Sequence, residues 1–433
     1  MGSPAFPLEQ KVGIELYLTK NPGIGGKIRQ QIEDFYVEEI TSREEGAEGK
    51  YLILELTKRD WDTHHLIREL SRALGVSQKR FGFAGTKDKR ALTKQKISIW
   101  DVNEDALKRI NLPGVELRVV GRSNKKVVLG NLWGNKFRIV IRDVESSLDV
   151  VKERVKSITD EIAQMGGIPN FFGMQRFGVQ RPVTHLVGEA IVRGDLKKAV
   201  LTYLAEVSPN ELEDVQNARS ALAKDLDFQK ALKEFPLFLR YERAMLNVLV
   251  QNPEDYLGAL GALPQKLQQM FVHAYQSCIF NKILSERLRK NLSLNSALPG
   301  DIVCFPNKTG LPNVLRTQRV KEDNVEGMNN LITRKRAFVT APLFGYESQF
   351  ADGVPGEIER SVIESMKIEK DDFRIPEAPE LASKGRRREI LCYLCPSYEV
   401  KQEVVLQFSL PKGSYATTVL REYMKTDPLS AGY

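Results

Sequence analysis

The sequence predicts a mixed α/β or α+β fold in which one domain is inserted into another. Strand-like and helix-like patterns alternate through the first third of the 433 residues, as such folds produce. From about Val187 to about Gly385 the pattern changes to charge-dense segments with helical spacing. The alternation of the first third then returns, with a strand pattern at residues 403–410 and a helix pattern at residues 414–424.

Hydrophobic spacing predicts the elements of the first part in order. A turn at residues 21–27 leads into a strand at about residues 34–39, and residues 51–57 form an apolar, β-prone run. Apolar residues from Leu66 to Leu74 share one helical face. This helix is predicted to end at Gly75, because glycine adopts a left-handed cap most easily.

The later elements follow from the same reasoning. Alternation over residues 137–142 predicts a strand, and apolar residues every three or four positions over residues 148–165 predict a long helix packed against a sheet. Residues 188–204 and 267–288 are predicted to be helical. Residues 373–385 contain two prolines and no clear period, which indicates a loop or linker.

The composition is that of a folded protein, with 42% hydrophobic and 28% charged residues. No stretch approaches the ~18 uncharged apolar residues that a membrane helix needs, and residues 1–10 lack the order of a signal peptide. We therefore expect a soluble cytoplasmic protein. The formal net charge of +8 is modest for this length and favours an anionic partner only weakly.

The cysteines Cys278, Cys304, Cys392 and Cys395 are too few for the disulfide framework of a secreted protein. Cys392 and Cys395 have CxxC spacing, but a structural zinc ion needs four ligands and the sequence has no second such pair. The four histidines also lack ligand spacing. We expect no metal site, and we expect Cys392 and Cys395 to lie in the core because apolar residues flank them.

A glycine-rich segment at residues 21–27 (NPGIGGK) resembles a phosphate loop only superficially. It lacks the GxxxxGK[ST] spacing, because Ile28 follows Lys27, and it completes no GxGxxG motif. Nucleotide hydrolysis is therefore not predicted. Lys27 and Arg29 could still offer positive charge to an anion.

Basic residues form clusters, some of them near aromatic rings such as Phe81 and the pair Phe171-Phe172. Cations for phosphates and rings for stacking are what recognition of unpaired RNA bases requires. A solvated protein face is the ordinary alternative for each cluster taken alone. The clusters are Lys79-Arg80, then Lys87, Lys89 and Arg90, then Arg122, Lys125 and Lys126, then residues 334–336, and finally residues 386–388.

The segment around Asp88 is the strongest candidate for a catalytic site. Asp88 is a single acid among Lys87, Lys89 and Arg90 in a loop that follows a predicted strand. Neighbouring cations hold a carboxylate ionised, which suits a nucleophile or an anionic stabiliser and does not suit a proton donor. The alternative is that Asp88 only forms a turn, as aspartate often does in such a segment.

Residues 85–95 (GTKDKRALTKQ) resemble the GxKDxxAxTxQ signature of the TruD family of pseudouridine synthases, which isomerise uridine 13 of transfer RNA. Further segments resemble family motifs in the same order along nearly the whole chain. These segments are residues 33–39 (EDFYVEE), 130–137 (GNLWGNKF), 169–178 (PNFFGMQRFG), 277–281 (SCIFN) and 410–422 (LPKGSYATTVLRE).

The resemblance implies an α+β fold, with a pseudouridine synthase catalytic domain built on a mostly antiparallel mixed sheet with flanking helices. An α/β TruD insertion domain would interrupt it. The expected division is residues 1–185 and 386–433 for the catalytic domain and residues 186–385 for the insertion. The long stretch after the QRFG motif resembles archaeal and eukaryotic relatives.

The resemblance also implies roles for individual residues. It places the catalytic aspartate at Asp88, the aromatic residue that stacks on the target uracil at Phe172, and an active-site asparagine at Asn170. Arg29 matches a basic position that is lysine in bacteria. The remaining expected substrate-binding residues are Gln175 and Arg176, which would shape the same cleft, and Lys87, which would hold the RNA backbone or the Asp88 charge.

The implied reaction is redox-neutral, so we expect tRNA as the partner and neither a cofactor nor ATP. Three routes for Asp88 stay open: attack on C1′ of the ribose, attack on the base, or abstraction of a sugar proton to give a glycal. Two rival functions also stay open. One is a non-catalytic RNA-binding or RNA-chaperone protein on the same fold, and the other is a thiol or zinc protein centred on Cys392 and Cys395. The oligomeric state is not predicted.

Overall fold

The computed structural model of the protein describes residues 2–433 and has the predicted α+β architecture. The strands are β1 Phe35–Ile40, β2 Tyr51–Arg59, β3 Phe81–Phe83, β4 Leu92–Trp100, β5 Val115–Ser123, β6 Gly134–Ile141, β7 Gly167–Pro169, β8 Ile302–Pro306, β9 Pro312–Arg319, β10 Phe338–Leu343, β11 Arg386–Glu389, β12 Leu391–Tyr393, β13 Ser397–Val400 and β14 Val404–Pro411.

The helices come mainly from the middle of the chain. They are α1 Pro7–Gln10, α2 Thr63–Leu74, α3 Leu148–Met165, α4 Thr184–Val192, α5 Leu196–Ala205, α6 Glu213–Asp225, α7 Phe228–Glu234, α8 Arg240–Gln251, α9 Tyr256–Gly261, α10 Gln265–Arg289, α11 Val325–Thr333, α12 Gly353–Ser365, α13 Ala416–Met424 and α14 Pro428–Ala431.

The largest sheet among the described residues has eight strands in the order β13-β14-β6-β1-β4-β2-β5, with β3 paired to β4. Strands β1 and β4 run parallel, and the other described pairs of this sheet are antiparallel. The expectation of a mostly antiparallel mixed sheet is therefore confirmed.

One face of this sheet carries two hydrophobic clusters. Alternate residues of β1, β6 and β14 pack with the apolar stripes of α3 and α13, while alternate residues of β2 and β4 pack with α2. Both α2 and α3 end as predicted, with Gly75 and Gly166 in left-handed caps. The two clusters leave between them a strip of the central strands where the candidate site lies.

A second sheet, β11-β10-β8-β9, belongs with the helical middle of the chain. The long helix α10 packs against α4, α12 and β10 in this region. The prediction of one helix over residues 188–204 is wrong, because this stretch forms the end of α4 and most of α5. Gly194 adopts a positive φ of 73°, which ends the first helix, and Asp195 caps the second. The division into three domain segments stays a prediction. Strand β11, which falls in the predicted last segment, is paired to β10 of the predicted insertion.

Two expectations about cysteines have different outcomes. Cys392 is buried in the core as predicted, but Cys395 is exposed because it lies in the connection between β12 and β13. Among residues 2–433, no group of three or more His, Cys, Asp or Glu residues is placed to hold a metal ion. None of the helices described is both long enough and apolar enough to cross a membrane.

Candidate active site

Asp88 and Arg29, which lie far apart in the sequence, form an ion pair. Arg29 Nη2 donates to Asp88 Oδ1 at 3.0 Å, and the Asp88 side chain is 45% exposed. The Arg29 guanidinium is largely buried, lies 4.1 Å from the Phe35 ring centroid and donates from Nη1 to the Gly432 carbonyl. Burial lowers the pKa of Arg29, and the Asp88 carboxylate opposes this shift. Arg29 therefore presents a fixed positive charge to Asp88.

A buried lysine holds the backbone of the Asp88 loop. Lys58 is 0% exposed, and its Nζ donates to the carbonyls of Trp61 at 2.6 Å and Asp88 at 2.8 Å, with a longer contact to that of Lys87 at 3.5 Å. Burial lowers the pKa of Lys58 to about 8, against the opposing effect of the Asp88 carboxylate. Lys58 is not among the site residues predicted from the sequence. Its signal was a charged residue in phase with the buried Leu52, Leu54 and Leu56.

Further buried side chains attach the same loop to the sheet and to α2. Thr63 Oγ1 accepts from the backbone N–H of Lys87 at 3.1 Å, and Gln95 Nε2 donates to the Gly85 carbonyl at 3.1 Å. Lys87 Nζ is buried and pairs with Glu39 Oε2 at 3.2 Å. The Asp88 carboxylate thus projects from a loop whose backbone is fixed at several points. Lys87 contacts Glu39 in this structure, and its expected hold on RNA or on the Asp88 charge stays a prediction.

A row of polar side chains crosses the central strands beneath this loop. Glu39 on β1 is paired in register with Asn135 on β6, and Gln95 on β4 lies on its other side. Glu39 Oε1, Gln95 Oε1 and Asn135 Oδ1 are buried without a hydrogen-bond partner among residues 2–433, and burial raises the pKa of Glu39. A buried acceptor without a hydrogen bond lowers the folding stability by about 1–3 kcal/mol. The row therefore favours hydrogen-bond donors from a bound molecule or water.

Asn170 and Phe172 form a second group, held by residues of the second sheet and α10. Asn170 Nδ2 donates to Glu389 Oε1 at 2.9 Å, and Asn170 Oδ1 accepts from Arg388 Nη2 at 2.6 Å. The Phe172 backbone N–H donates to Asn281 Oδ1 at 2.9 Å, and the Arg388 guanidinium lies 4.2 Å from the Phe172 ring centroid. Buried Arg388 thus fixes both residues.

The predicted cluster at residues 386–388 is therefore not one basic surface. Because β11 is a strand, successive side chains point to opposite faces. Arg388 is buried against Asn170, and Arg387 donates to Glu359 Oε1 and to the Thr340 carbonyl, both at 2.8 Å. Arg386 is exposed and forms no ion pair with another described residue. Of the three, only Arg386 is available to phosphate.

Gln175 and Arg176 follow Phe172 on the side of the second sheet. Gln175 is exposed, and its Oε1 accepts from Thr417 Oγ1 at 2.8 Å. Arg176 and Phe172 line a cavity of about 300 Å³, to which none of the described Asp88, Arg29 or Lys87 side chains contributes. The predicted site residues thus fall into two groups, one around Asp88 and one around Phe172.

The end of β14 and the residues that follow it lie between these two groups. Leu410 is paired in register with Asn135 of the polar row. A few residues later, Arg388 donates to the Gly413 carbonyl and the Ser414 hydroxyl donates to Asn170 Oδ1 at 3.2 Å. One short stretch of chain, residues 410–414, therefore contacts both the polar row and Asn170.

Comparisons with known proteins agree over almost the entire chain. A family model described as tRNA pseudouridine synthase D (TruD) matches residues 11–423. Proteins named "Probable tRNA pseudouridine synthase D" from Methanococcoides burtonii and Methanosarcina barkeri are 57% and 55% identical over 430 residues, covering 98% of each chain. A crystal structure described as that of the "Putative tRNA pseudouridine synthase D (TruD)" from Methanosarcina mazei is 54% identical to this chain, with a TM-score of 0.90. The match covers 98% of this chain and 99% of that one.

Proposed function

Because the chain belongs to the tRNA pseudouridine synthase D (TruD) family, we propose that it converts uridine 13 of tRNA to pseudouridine with Asp88 as the catalytic carboxylate. The observation that carries this proposal is the half-exposed Asp88 carboxylate, paired with a buried arginine on a loop fixed by Lys58, Thr63 and Gln95. A reacting group on a fixed backbone needs little reorganisation.

The chemistry requires one positioned carboxylate. The bond from N1 of uracil to C1′ of ribose breaks, the base turns, and C5 joins C1′, while N1 gains a proton and C5 loses one. No electrons are exchanged. The Asp88 carboxylate could serve any of the three routes, since attack on C1′, attack on the base and removal of a sugar proton all begin from a carboxylate.

The second group of residues supplies what an extruded base needs. Extrusion costs a few kcal/mol, and an aromatic platform returns about 1–3 kcal/mol by stacking. Phe172 is the proposed platform, with Asn170 beside it and Arg388 behind it. The unpaired acceptors of Glu39, Gln95 and Asn135 would accept hydrogen bonds from the N–H groups of uracil or from ribose hydroxyls.

The position of the reaction is tested with two tRNA transcripts. One carries uridine at position 13 and the other carries cytidine there, with all other positions unchanged. We expect pseudouridine in the first transcript and none in the second. Equal pseudouridine in both would refute the assignment to position 13, and tight binding without pseudouridine in either would support the non-catalytic alternative.

Lys58 gives a prediction about the Asp88 loop. The variant Lys58→Met keeps the size of the side chain but leaves the carbonyls of Trp61 and Asp88 without their charged donor. We expect the single-turnover rate to fall at least about tenfold, equivalent to about 1.4 kcal/mol of barrier, with tRNA affinity within a few fold. In the wild-type protein the rate should also fall as the pH rises through about 8, where Lys58 loses its proton.

Lys425→Met is the matched control. Lys425 Nζ also donates to two backbone carbonyls, those of Thr19 and Asn21 at 2.6 Å, and burial also lowers its pKa, but neither bond involves the Asp88 loop. We expect this variant to lose stability while keeping its rate and the alkaline decline. A Lys58→Met protein with the wild-type rate, or with the same alkaline decline, would show that Lys58 does not position Asp88.

A further inference from the structure

A basic cavity lies next to Phe172, between α10 and the segment that leads into β11. It has a volume of about 300 Å³, a size at the lower end of small-ligand pockets. Phe172 forms part of its wall, and Arg176, His273, Lys384 and Arg386 also line it. None of the described residues that line the cavity carries a carboxylate.

The charges in this cavity are poorly compensated. Arg176 is partly buried, and its one hydrogen bond to a described residue runs from Nε to Ser277 Oγ at a long 3.4 Å. Arg386 forms no ion pair with the described residues, whereas Lys384 pairs with Glu347 at 3.0 Å. Burial and the nearby Arg386 lower the pKa of Arg176. Two guanidinium groups thus share a cavity in which their repulsion is not offset by an acid.

We propose that this cavity binds a phosphodiester of the RNA backbone, with the attached nucleoside against Phe172. The inference rests on the proposed function, and it assigns Arg176 and Arg386 to substrate binding outside the Asp88 ion pair. A guanidinium presents two parallel N–H groups that match two phosphate oxygens, so a phosphodiester would satisfy the unpaired nitrogens. The aromatic wall suits the nucleoside part of the same ligand.

His273 reports on the occupancy of this cavity. Burial and the charges of Arg176 and Arg386 lower the pKa of His273, and Lys384 is the other cation lining the cavity. A bound phosphate adds negative charge beside the imidazole, which favours the protonated form. The pKa of His273 should therefore rise when the cavity is filled.

The first measurement is a proton NMR titration of the four histidines, with the His273 signal assigned from a His273→Gln variant. The probes are inorganic phosphate and a short single-stranded oligoribonucleotide. We expect the oligoribonucleotide to raise the pKa of His273 by about one unit in the wild-type protein and by much less in Arg386→Gln. Phosphate alone should act in the same direction at higher concentration. A His273 pKa unchanged by the oligoribonucleotide would overturn the proposal.

The second measurement is tRNA binding as a function of salt. Arg386→Gln should weaken binding several-fold and reduce the slope of log affinity against log salt by about one, because one phosphate contact is lost. Arg240→Gln is the control, since Arg240 is an exposed arginine at the start of α8 that does not line the cavity. An Arg386→Gln slope equal to that of wild type and Arg240→Gln would contradict the proposal.

The two proposals fail in different ways. If the wild-type protein makes pseudouridine while neither the His273 pKa nor the salt slope responds, the cavity assignment is wrong and the catalytic assignment stands. If the protein makes no pseudouridine but both responses occur, the cavity binds RNA and the catalytic assignment is wrong.

Discussion

Asp88→Asn should abolish pseudouridine formation and leave tRNA affinity within a few fold of the wild-type value. Asparagine keeps the shape of the side chain but has no negative charge, so it can neither attack carbon nor remove a proton as a carboxylate does. The loop should keep its position, because Lys58, Thr63 and Gln95 hold its backbone and not the Asp88 side chain. The measurement is the single-turnover rate at saturating enzyme, with binding followed separately.

Asp143→Asn is the matched control for this experiment. Asp143 is also an exposed aspartate in an ion pair, here with Lys27 at 3.4 Å, and its positive φ of 54° is readily adopted by asparagine. The Asp143 variant should keep the wild-type rate. If Asp88→Asn retained more than about a tenth of that rate, which corresponds to about 1.4 kcal/mol of barrier, Asp88 would not be the catalytic carboxylate.

Phe171→Ala should mainly reduce the folding stability, whereas Phe172→Ala should mainly reduce the reaction rate. Phe171 is 1% exposed and Phe172 is 6% exposed, but Phe172 lines the cavity beside Arg176. Phe171→Ala should cost about 3–5 kcal/mol of folding stability, as is typical for a core phenylalanine. Phe172→Ala should lower the melting temperature less than Phe171→Ala does and should lower the reaction rate more. It removes the proposed platform and about 1–3 kcal/mol of stacking with the base.

Melting curves and single-turnover rates at low temperature separate the two roles. Phe172→Tyr should be largely active, because its ring still stacks. The stacking role of Phe172 would be contradicted by an alanine variant that melts far below wild type yet keeps its rate. In that case Phe171 would become the candidate for the platform.

Local elements could be predicted from the sequence because their spacing is a local property. The helix that ends at Gly75 and the helix that ends at Gly166 needed only an apolar stripe and a glycine. The parallel pairing of β1 with β4 could not be predicted, because it depends on how strands distant in sequence meet. The break at Gly194 was missed because one glycine within a helical pattern often does not end a helix.

Only part of the candidate site could be predicted from the sequence. Asp88 and Phe172 lie in segments that resemble family motifs, so the chain alone indicated them. Lys58 lies in no such segment, and its role depends on carbonyls of a loop about thirty residues away in the chain. The sequence shows Arg388 only as one member of a basic cluster. Its burial against Asn170 follows from the pairing of β11 with β10, which the sequence does not show.

The most direct test of the account is to map every pseudouridine in an unmodified tRNA after incubation with the wild-type protein and, in parallel, with Asp88→Asn. We expect one pseudouridine, at position 13, with the wild-type protein and none with the variant. Pseudouridine at position 13 with both proteins would contradict the role of Asp88. A tRNA that binds the wild-type protein but keeps all its uridines would contradict the proposed function itself.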